Sequence, residues 1–323
     1  MKTRPLGRTG LHVSEIGFGA WGLSGVQWIG ATDDQSVRAL HRALDLGVNL
    51  VDTALAYGEG ASERIIGRVL RERGADSAAV IVATKVPPKN RIWPARGSSA
   101  EVYPAEHVVA SCEASLRHLG LDHVELLQLH VWHDRFLDED GWKDALFGLK
   151  RAGKARFVGI SVSEHDADSA LRAASAGLFD AMQILFNIFD PRPAEALLPA
   201  CAAHGIGVLA RVPLDEGGLT GQIRPDTTFP EGDFRNHYFR GDRRREVSER
   251  AARLEGLLGP EAASLPELAL RFCLSDEAVS TVIPGMRSAA RVDQNASAGD
   301  GRRLSPGLLA SLKAHAWPRN FYD

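Results

Sequence analysis

The chain has 323 residues, 44% of them hydrophobic and 24% charged, with a net charge of −3 and a pI of about 6.4. This balance is typical of a globular protein, and the lack of a basic field excludes nucleic acid and anionic membranes as principal partners. No apolar stretch approaches the roughly 18 residues of a membrane span, and the polar N-terminus lacks a signal region. We therefore expect a cytoplasmic protein that forms one domain over residues 1–323, since α/β barrels often reach this length.

The three cysteines support the same location. Cys112, Cys201 and Cys273 lie far apart within apolar helical patterns. A small, odd number of dispersed cysteines does not make a disulfide framework, so we expect buried, reduced thiols.

The N-terminal segment contains a misleading motif. Residues 4–15 alternate short polar and apolar stretches around glycines, which predicts a β-hairpin. Residues 17–22 then match the dinucleotide fingerprint G-x-G-x-x-G. That fingerprint requires a helix that begins at once, because the helix N-terminus receives the pyrophosphate. A glycine-punctuated loop follows here, so the sequence does not predict a Rossmann domain.

Apolar runs alternate with amphipathic helical patterns along most of the chain. After a first helix between Thr32 and Gly47, the predicted helices span 61–72, 105–119, 140–151, 166–175, 193–203, 243–258 and 265–274. The predicted strands span 13–18, 48–52, 79–84, 124–129, 156–160, 180–184, 206–210 and 279–283. Such alternation implies parallel strands, and eight units close into a (β/α)8 TIM barrel. The N-terminal hairpin, extra helices and long loops complete the predicted fold.

Polar residues follow the predicted strands, at the end where barrel enzymes place their active sites. They are Asp52 after the second strand, Lys85 after the third, His130 after the fourth, Ser161 after the fifth and Gln183 on the sixth. Tyr57 follows Asp52 by five residues in a loop closed by glycines. We therefore expect a carboxylate, an ammonium, an imidazole and a phenol at one mouth.

Each of these residues has a structural alternative when it is considered alone. Asp52 and Lys85 could form an ion pair that locks neighbouring strands, and His130 could be a core histidine with its hydrogen bonds satisfied. His130, His133 and Asp134 could suggest a metal site, but no further ligand has suitable spacing, so no metal is predicted. The joint placement of the residues at adjacent strand ends favours catalysis.

The chemistry that this set supports is proton delivery to a carbonyl oxygen. A phenol is a poor acid at neutral pH, and we expect the Lys85 ammonium to lower the pKa of Tyr57 while Asp52 holds the ammonium in place. His130 would orient the carbonyl. No side chain can supply electrons, so a hydride cofactor is needed.

These residues resemble the catalytic four of the aldo-keto reductase superfamily, and the resemblance extends from the N-terminal hairpin to the tail. Further matches are Gly19-Ala20-Trp21, the segment 214–221 (LDEGGLTG) and Ile283 to Arg287 with Gln294-Asn295. The resemblance implies a barrel that binds an extended nicotinamide cofactor, with Tyr57 as general acid. The cofactor-binding residues it implies are Gly19, Trp21, Asp52, Ser161, Gln183, Arg211, Pro213, Leu214, Glu216, Gly218, Gly221, Gly285, Arg287, Arg291, Gln294 and Asn295.

Charge near the last strand indicates which cofactor binds. Arg287 and Arg291 flank Ser288, where the family holds the adenosine 2′-phosphate, and a guanidinium pair at a helix N-terminus is a good phosphate receptor. We therefore predict NADP(H). Two residues depart from the family pattern. Val162 replaces an asparagine, and Arg211 replaces an aromatic ring that stacks on the nicotinamide, so we expect the Arg211 guanidinium to stack there.

Aromatic residues in the loops above the mouth predict a partly apolar pocket for an aldehyde, ketone or sugar-like carbonyl. The predicted pocket residues are Trp21, Trp28, Tyr57, Trp93, His130 and Trp132. Two alternatives stay open: a cofactor-sensing regulatory subunit of the same fold, and a redox-neutral isomerase or lyase that uses Tyr57 as base. The sequence does not predict the oligomeric state.

Overall fold

The computed structural model describes residues 1–93 and 96–322 and contains a closed ring of eight parallel strands. Two short strands precede the ring, β1 (Thr3–Pro5) and β2 (His12–Ser14). The ring is formed by β3 (Phe18–Gly19), β4 (Leu50–Asp52), β5 (Ile81–Val86), β6 (Val124–Leu129), β7 (Ala155–Ser161), β8 (Ala181–Leu185), β9 (Gly207–Arg211) and β10 (Val279–Val282).

The eight strands pair in chain order from β3 to β10, each parallel to the next. Parallel bridges Ile16↔Val282 and Gly19↔Gly285 join the first and last strands, which closes the sheet into a barrel. The predicted (β/α)8 barrel is therefore confirmed. The predicted first strand over 13–18 was partly wrong, because Val13 pairs with Arg4 in the antiparallel hairpin and only the end of that run joins the barrel.

The N-terminal hairpin plugs the bottom of the barrel. Leu6 is fully buried and packs with interior residues such as Leu50, Leu126 and Leu209. A Cβ at Gly207 would lie 2.5 Å from the Leu6 side chain, so glycine is required for this close approach. Apolar side chains fill the amino-terminal end of the barrel interior. The polar interior side chains lie at the carboxyl ends of the strands.

Helices surround the ring and bury an apolar face against it. The first helix begins with a capping box formed by Thr32 and Gln35. The predicted helices are present, except that 166–175 and 193–203 begin with separate 3-10 turns. The helices are α1 (Asp33–Asp45), α2 (Ala61–Arg73), α3 (Ser99–Val102), α4 (Ala105–Leu119), α5 (Trp142–Arg151), α6 (Leu171–Ser175), α7 (Leu197–Ala203), α8 (Phe234–Tyr238), α9 (Arg243–Glu255), α10 (Leu265–Leu274), α11 (Ala289–Ala296) and α12 (Pro306–Lys313).

All three cysteines are buried and form no disulfide, as predicted. None of the helices in the described ranges 1–93 and 96–322 has both the length and the apolar character to cross a bilayer.

Candidate active site

A cavity of about 860 Å³ opens at the carboxyl ends of the barrel strands. It extends from the loop after β5 to the first turns of α11. Residues that follow most of the barrel strands therefore line it. Eighteen of the predicted site residues line it: Gly19, Trp21, Trp28, Asp52, Tyr57, Trp93, His130, Ser161, Gln183, Arg211, Pro213, Leu214, Glu216, Gly285, Arg287, Arg291, Gln294 and Asn295.

Parallel pairing places the polar strand ends side by side, with Asp52 and His130 lining the cavity floor and Lys85 fully buried behind them. Asp52 is the last residue of β4, and Lys85 lies on the adjacent strand β5. His130 follows β6 directly, and its backbone N–H donates to Val86 O at 3.0 Å. Tyr57 lies in the turn after β4, where its N–H donates to Ala54 O at 3.0 Å. Three adjacent strand ends and one turn therefore bring the four side chains together.

Lys85 is the centre of a hydrogen-bonded group. Its Nζ donates to Asp52 Oδ2 at 2.7 Å and to Thr53 O at 2.8 Å, and it lies 3.4 Å from the Tyr57 hydroxyl. The second Asp52 oxygen accepts from Gln183 Nε2 at 2.7 Å. Both carboxylate oxygens are thus engaged, and the buried ammonium has a fixed position beside the phenol.

The protonation of Tyr57 differs from the sequence-based expectation. Burial raises the pKa of the phenol well above its usual value of 10.0, and the Asp52 charge raises it further. Burial lowers the pKa of Lys85, although Asp52 opposes this shift. The expected lowering of the Tyr57 pKa was therefore wrong, because burial of the phenol and the nearby Asp52 charge both disfavour the phenolate. Tyr57 is a protonated phenol at neutral pH, the form that a proton donor needs.

His130 is held neutral at the cavity floor. Burial lowers the pKa of its imidazole well below 6.5, and the positive charges of Lys85 and Arg211 lower it further. The rings of Tyr57 and Trp93 meet it edge-on, with centroids 5.6 and 4.7 Å away. A neutral imidazole in this position can form a hydrogen bond to a carbonyl oxygen without adding a competing charge.

Tryptophans form the wall beside the phenol. Trp21 stacks on Tyr57 with ring centroids 6.2 Å apart, and Trp28 meets Trp21 edge-on at 5.7 Å. Trp93 packs edge-on against His130 instead and is 43% exposed. The reacting end of the cavity is therefore lined by aromatic rings.

Trp132 does not belong to this wall. It is fully buried, packs edge-on against Trp142 and Phe179, and its indole N–H donates to Asp134 Oδ1 at 3.1 Å. The prediction that Trp132 lines the substrate pocket was wrong, because the chain turns inward after β6 and directs this ring into the core.

Asp134 also has a structural role, since it accepts hydrogen bonds from the N–H groups of Arg172 and Ala173 near the start of α6. Among the described residues, no three histidine, cysteine or acidic side chains converge as a metal site would require.

Arg211 ends β9 and lies at the cavity beside Ser161 and Gln183. Its Nη2 donates to Val162 O at 3.0 Å and contacts Glu164 Oε1 at 3.4 Å, while its Nε is buried without a partner. The guanidinium is therefore held through its Nη2 atom, on one edge of the group. Glu164, which also lines the cavity, was missed by sequence reasoning because no local pattern distinguishes it from a solvated loop acid.

The loop after β9 has a strained backbone. Val212, Asp215 and Glu216 have φ values of 55°, 51° and 52°, a region that favours glycine. Gly218 and Gly221, predicted as cofactor contacts, do not line the cavity. They shape the loop instead: a Cβ at Gly218 would lie 2.3 Å from Asp215 Oδ2, and Gly221 has φ of 70°.

The two arginines near α11 have different surroundings. Arg287 donates to the carbonyls of Trp28 and Ile29, both at 3.2 Å, so its Nη1 is engaged by backbone. Arg291 lies on the first turn of α11, where Ser288 is the N-cap. Its Nη1 donates to Gln294 Oε1 at 2.7 Å and its Nη2 donates to Gln222 Oε1 at 2.6 Å. Arg287 is thus held by backbone carbonyls, whereas Arg291 is held by two neutral side-chain amides that also line the cavity.

The residues present fit an extended dinucleotide. Amide and hydroxyl groups of Gln183 and Ser161 line the end near Tyr57, and a helix N-terminus with Arg291 lines the other end. Pro213 to Glu216 lies along the path between them. This donor set suits a carboxamide at one end and an anion at the other.

Fold and site together define a barrel oxidoreductase, and the chain belongs to the aldo/keto reductase family, whose model matches residues 15–316. It is similar to the aldo-keto reductase YhdN of Bacillus subtilis, with 29% identity over 91% of this chain and 87% of the relative. It is equally similar, at 29% identity over 92% of this chain and 93% of the relative, to the NADH-specific methylglyoxal reductase of Escherichia coli.

A solved structure of similar fold is the glycerol dehydrogenase AKR11B4 from Gluconobacter oxydans. It superposes with a TM-score of 0.77 at 28% identity, covering 97% of this chain and 94% of that protein. The structural similarity therefore extends over nearly the whole chain.

Proposed function

We propose that the protein is an NADP(H)-dependent oxidoreductase that reduces an aldehyde, ketone or sugar-like carbonyl to the alcohol, with Tyr57 as the proton donor. The observation that carries the proposal is the chain of contacts from Asp52 through Lys85 to the Tyr57 hydroxyl at the cavity floor. A nicotinamide cofactor bound in the cavity supplies the hydride. A metal is not part of the proposal.

In this proposal Tyr57 transfers its proton to the carbonyl oxygen as negative charge develops there. Lys85, 3.4 Å from the phenol oxygen, stabilises the phenolate that remains. Asp52 and Gln183 fix the ammonium, and neutral His130 orients the carbonyl by a hydrogen bond. Trp21 packs on Tyr57 and Trp93 packs on His130, so aromatic rings cover part of both polar groups.

The preference for NADP(H) rests on Arg291 and the α11 N-terminus at the cavity rim. Family membership does not decide between the two coenzymes, since the Escherichia coli relative is named as NADH-specific. Arg211 would stack on the nicotinamide, which disfavours the cationic oxidised ring. A dissociation constant for NADP⁺ lower than that for NADPH would contradict this role.

The test is NADPH oxidation with a panel of aldehydes, ketones and sugars. Tyr57→Phe should lower turnover by roughly 10²–10⁴-fold, the usual contribution of a positioned acid, while NADPH still binds. Tyr103→Phe is the matched control: that hydroxyl does not line the cavity but bonds the Val131 backbone next to His130, so its loss should lower turnover far less than Tyr57→Phe. Equal turnover of Tyr57→Phe and the wild type would overturn the proposal.

The same assay separates the alternatives. Cofactor binding without turnover, together with a stable protein complex, would favour a regulatory subunit. Conversion of a carbonyl substrate without net NADPH oxidation would favour a redox-neutral isomerase or lyase. The proposal places the enzyme in the cytoplasm with a small-molecule substrate, which the buried free thiols support.

A further inference from the structure

The C-terminal tail, residues 317–322, is bonded to the strained loop after β9. Arg319 Nη2 pairs with Asp215 Oδ2 at 2.8 Å, and the Tyr322 hydroxyl donates to Glu216 Oε1 at 2.5 Å. Both carboxylates are buried. Two consecutive acids of the loop are therefore each held by a tail residue.

The tail is itself anchored to elements outside this loop. Trp317 N–H donates to Phe189 O at 2.7 Å, in the segment after β8. Arg243 of α9 donates to Phe321 O at 3.3 Å, and its guanidinium stands 3.9 Å from the centre of the Phe321 ring. The tail therefore links the loop to the segment after β8 and to α9.

The loop needs such support because of its backbone. Val212, Asp215 and Glu216 all occupy the left-handed region, which costs free energy for residues with a side chain. Asp215 also accepts from the Tyr238 hydroxyl at 2.9 Å. Contacts to the two acids offset part of the free-energy cost of this backbone conformation.

Loop and tail meet at the cavity wall, where Leu214, Glu216 and Gly217 lie with Asn320 and Tyr322. We propose that Arg319 and Tyr322 are positioning residues that hold this loop in its nucleotide-binding form, and that Glu216 makes nucleotide affinity depend on pH. The inference rests on the proposed cofactor, because the pyrophosphate of a dinucleotide that extends from Ser161 and Gln183 to Arg291 would pass this loop.

The charge on Glu216 supplies the pH dependence. Burial raises the pKa of its carboxyl to about 7, so the group changes charge near neutrality. An ionised Glu216 repels a pyrophosphate and a protonated one does not, so affinity should fall as pH rises through this range. The Tyr322 hydroxyl, as a donor, stabilises the ionised form. The other titratable or charged groups that act on Glu216 are Asp215, Arg211 and Arg235, and Glu216 in turn acts on Tyr57 and Tyr238.

The first experiment uses ligand-free protein and measures hydrogen exchange of residues 212–221. Tyr322→Phe should speed exchange of this loop, because one of its two tail contacts is lost. Tyr103→Phe makes the same chemical change at a hydroxyl bonded to Val131 and should leave the loop unchanged. Equal exchange in wild type and Tyr322→Phe would overturn the positioning role without bearing on the proposed function.

The second experiment measures NADPH dissociation constants by quenching of tryptophan fluorescence across the neutral pH range. Wild-type affinity should weaken with rising pH by on the order of fivefold, a typical coupling. Glu216→Gln should remove this dependence, and Tyr322→Phe should move its midpoint to higher pH, because the ionised carboxylate loses a donor. Glu249→Gln, at an exposed acid of α9, is the control.

A pH dependence that persists unchanged in Glu216→Gln would overturn the assignment of Glu216. If every variant binds NADPH tightly and the pH midpoint of its dissociation constant is the same as in the wild type, the inference is overturned and the proposed function still stands. Failure of the wild type to bind NADPH at any pH would overturn both.

Discussion

Gln183 and Asp52 are 131 residues apart in the chain and are joined across the barrel mouth by a hydrogen bond of 2.7 Å. The amide of Gln183 thereby occupies the Asp52 oxygen that Lys85 does not use. Both oxygens of the buried Asp52 carboxylate therefore accept a hydrogen bond. This arrangement fixes the orientation of Lys85 toward Tyr57.

Gln183→Leu should therefore destabilise the protein by about 1–3 kcal/mol, the cost of leaving a buried polar group without its partner. Denaturant unfolding measures this loss. The control is Thr228→Leu at an exposed loop position, which should change stability by less than about 0.5 kcal/mol. Equal effects of the two substitutions would show that the Asp52 contact carries no stability.

The depressed pKa of His130 predicts a pH-dependent stability. The unfolded histidine takes up a proton below about pH 6.5, whereas the buried folded form stays neutral, so folding loses stability as pH falls, by about 1.4 kcal/mol per pH unit at most. His130→Gln should remove this slope and make the variant relatively more stable in acid. Thermal unfolding at several pH values measures it, with exposed His12→Gln as the control. Parallel slopes in wild type and His130→Gln would contradict the buried neutral state.

The positions of Trp132 and Trp93 predict opposite effects. Trp132→Ala empties part of the core and should cost about 3–5 kcal/mol of stability. Trp93→Ala removes a half-exposed ring at the mouth and should raise KM severalfold with little loss of stability. Denaturant unfolding and steady-state kinetics on the two variants test this. A KM effect larger for a folded Trp132→Phe than for Trp93→Ala would place the substrate elsewhere.

Arg291 predicts the coenzyme preference. Arg291→Ala should weaken NADPH binding by on the order of tenfold or more, the usual loss of a charged hydrogen bond, and leave NADH binding nearly unchanged. Exposed Arg224→Ala is the control for net charge. Fluorescence titration with both coenzymes gives the ratio. The same loss for NADH and NADPH in Arg291→Ala would contradict recognition of the 2′-phosphate.

Local sequence patterns predicted the barrel well, because continuous apolar runs and amphipathic helices report which faces are buried. Asp52, Lys85 and His130 were found because parallel strands bring their carboxyl ends to one edge. The same reasoning failed for Trp132, since sequence distance from a strand end does not tell which way a loop side chain turns. It also failed for Val13, because the same apolar residue suits a hairpin or a barrel strand.

By itself the sequence determined the order of strands and helices, the eight-stranded closure and the group of polar residues at the mouth, since burial periodicity and parallel pairing are local or follow from topology. The protonation of Tyr57, the link between Gln183 and Asp52 and the contacts of Tyr322 with Glu216 were decided only by the tertiary structure. They depend on desolvation and on distances between segments more than a hundred residues apart, which no spacing along the chain encodes.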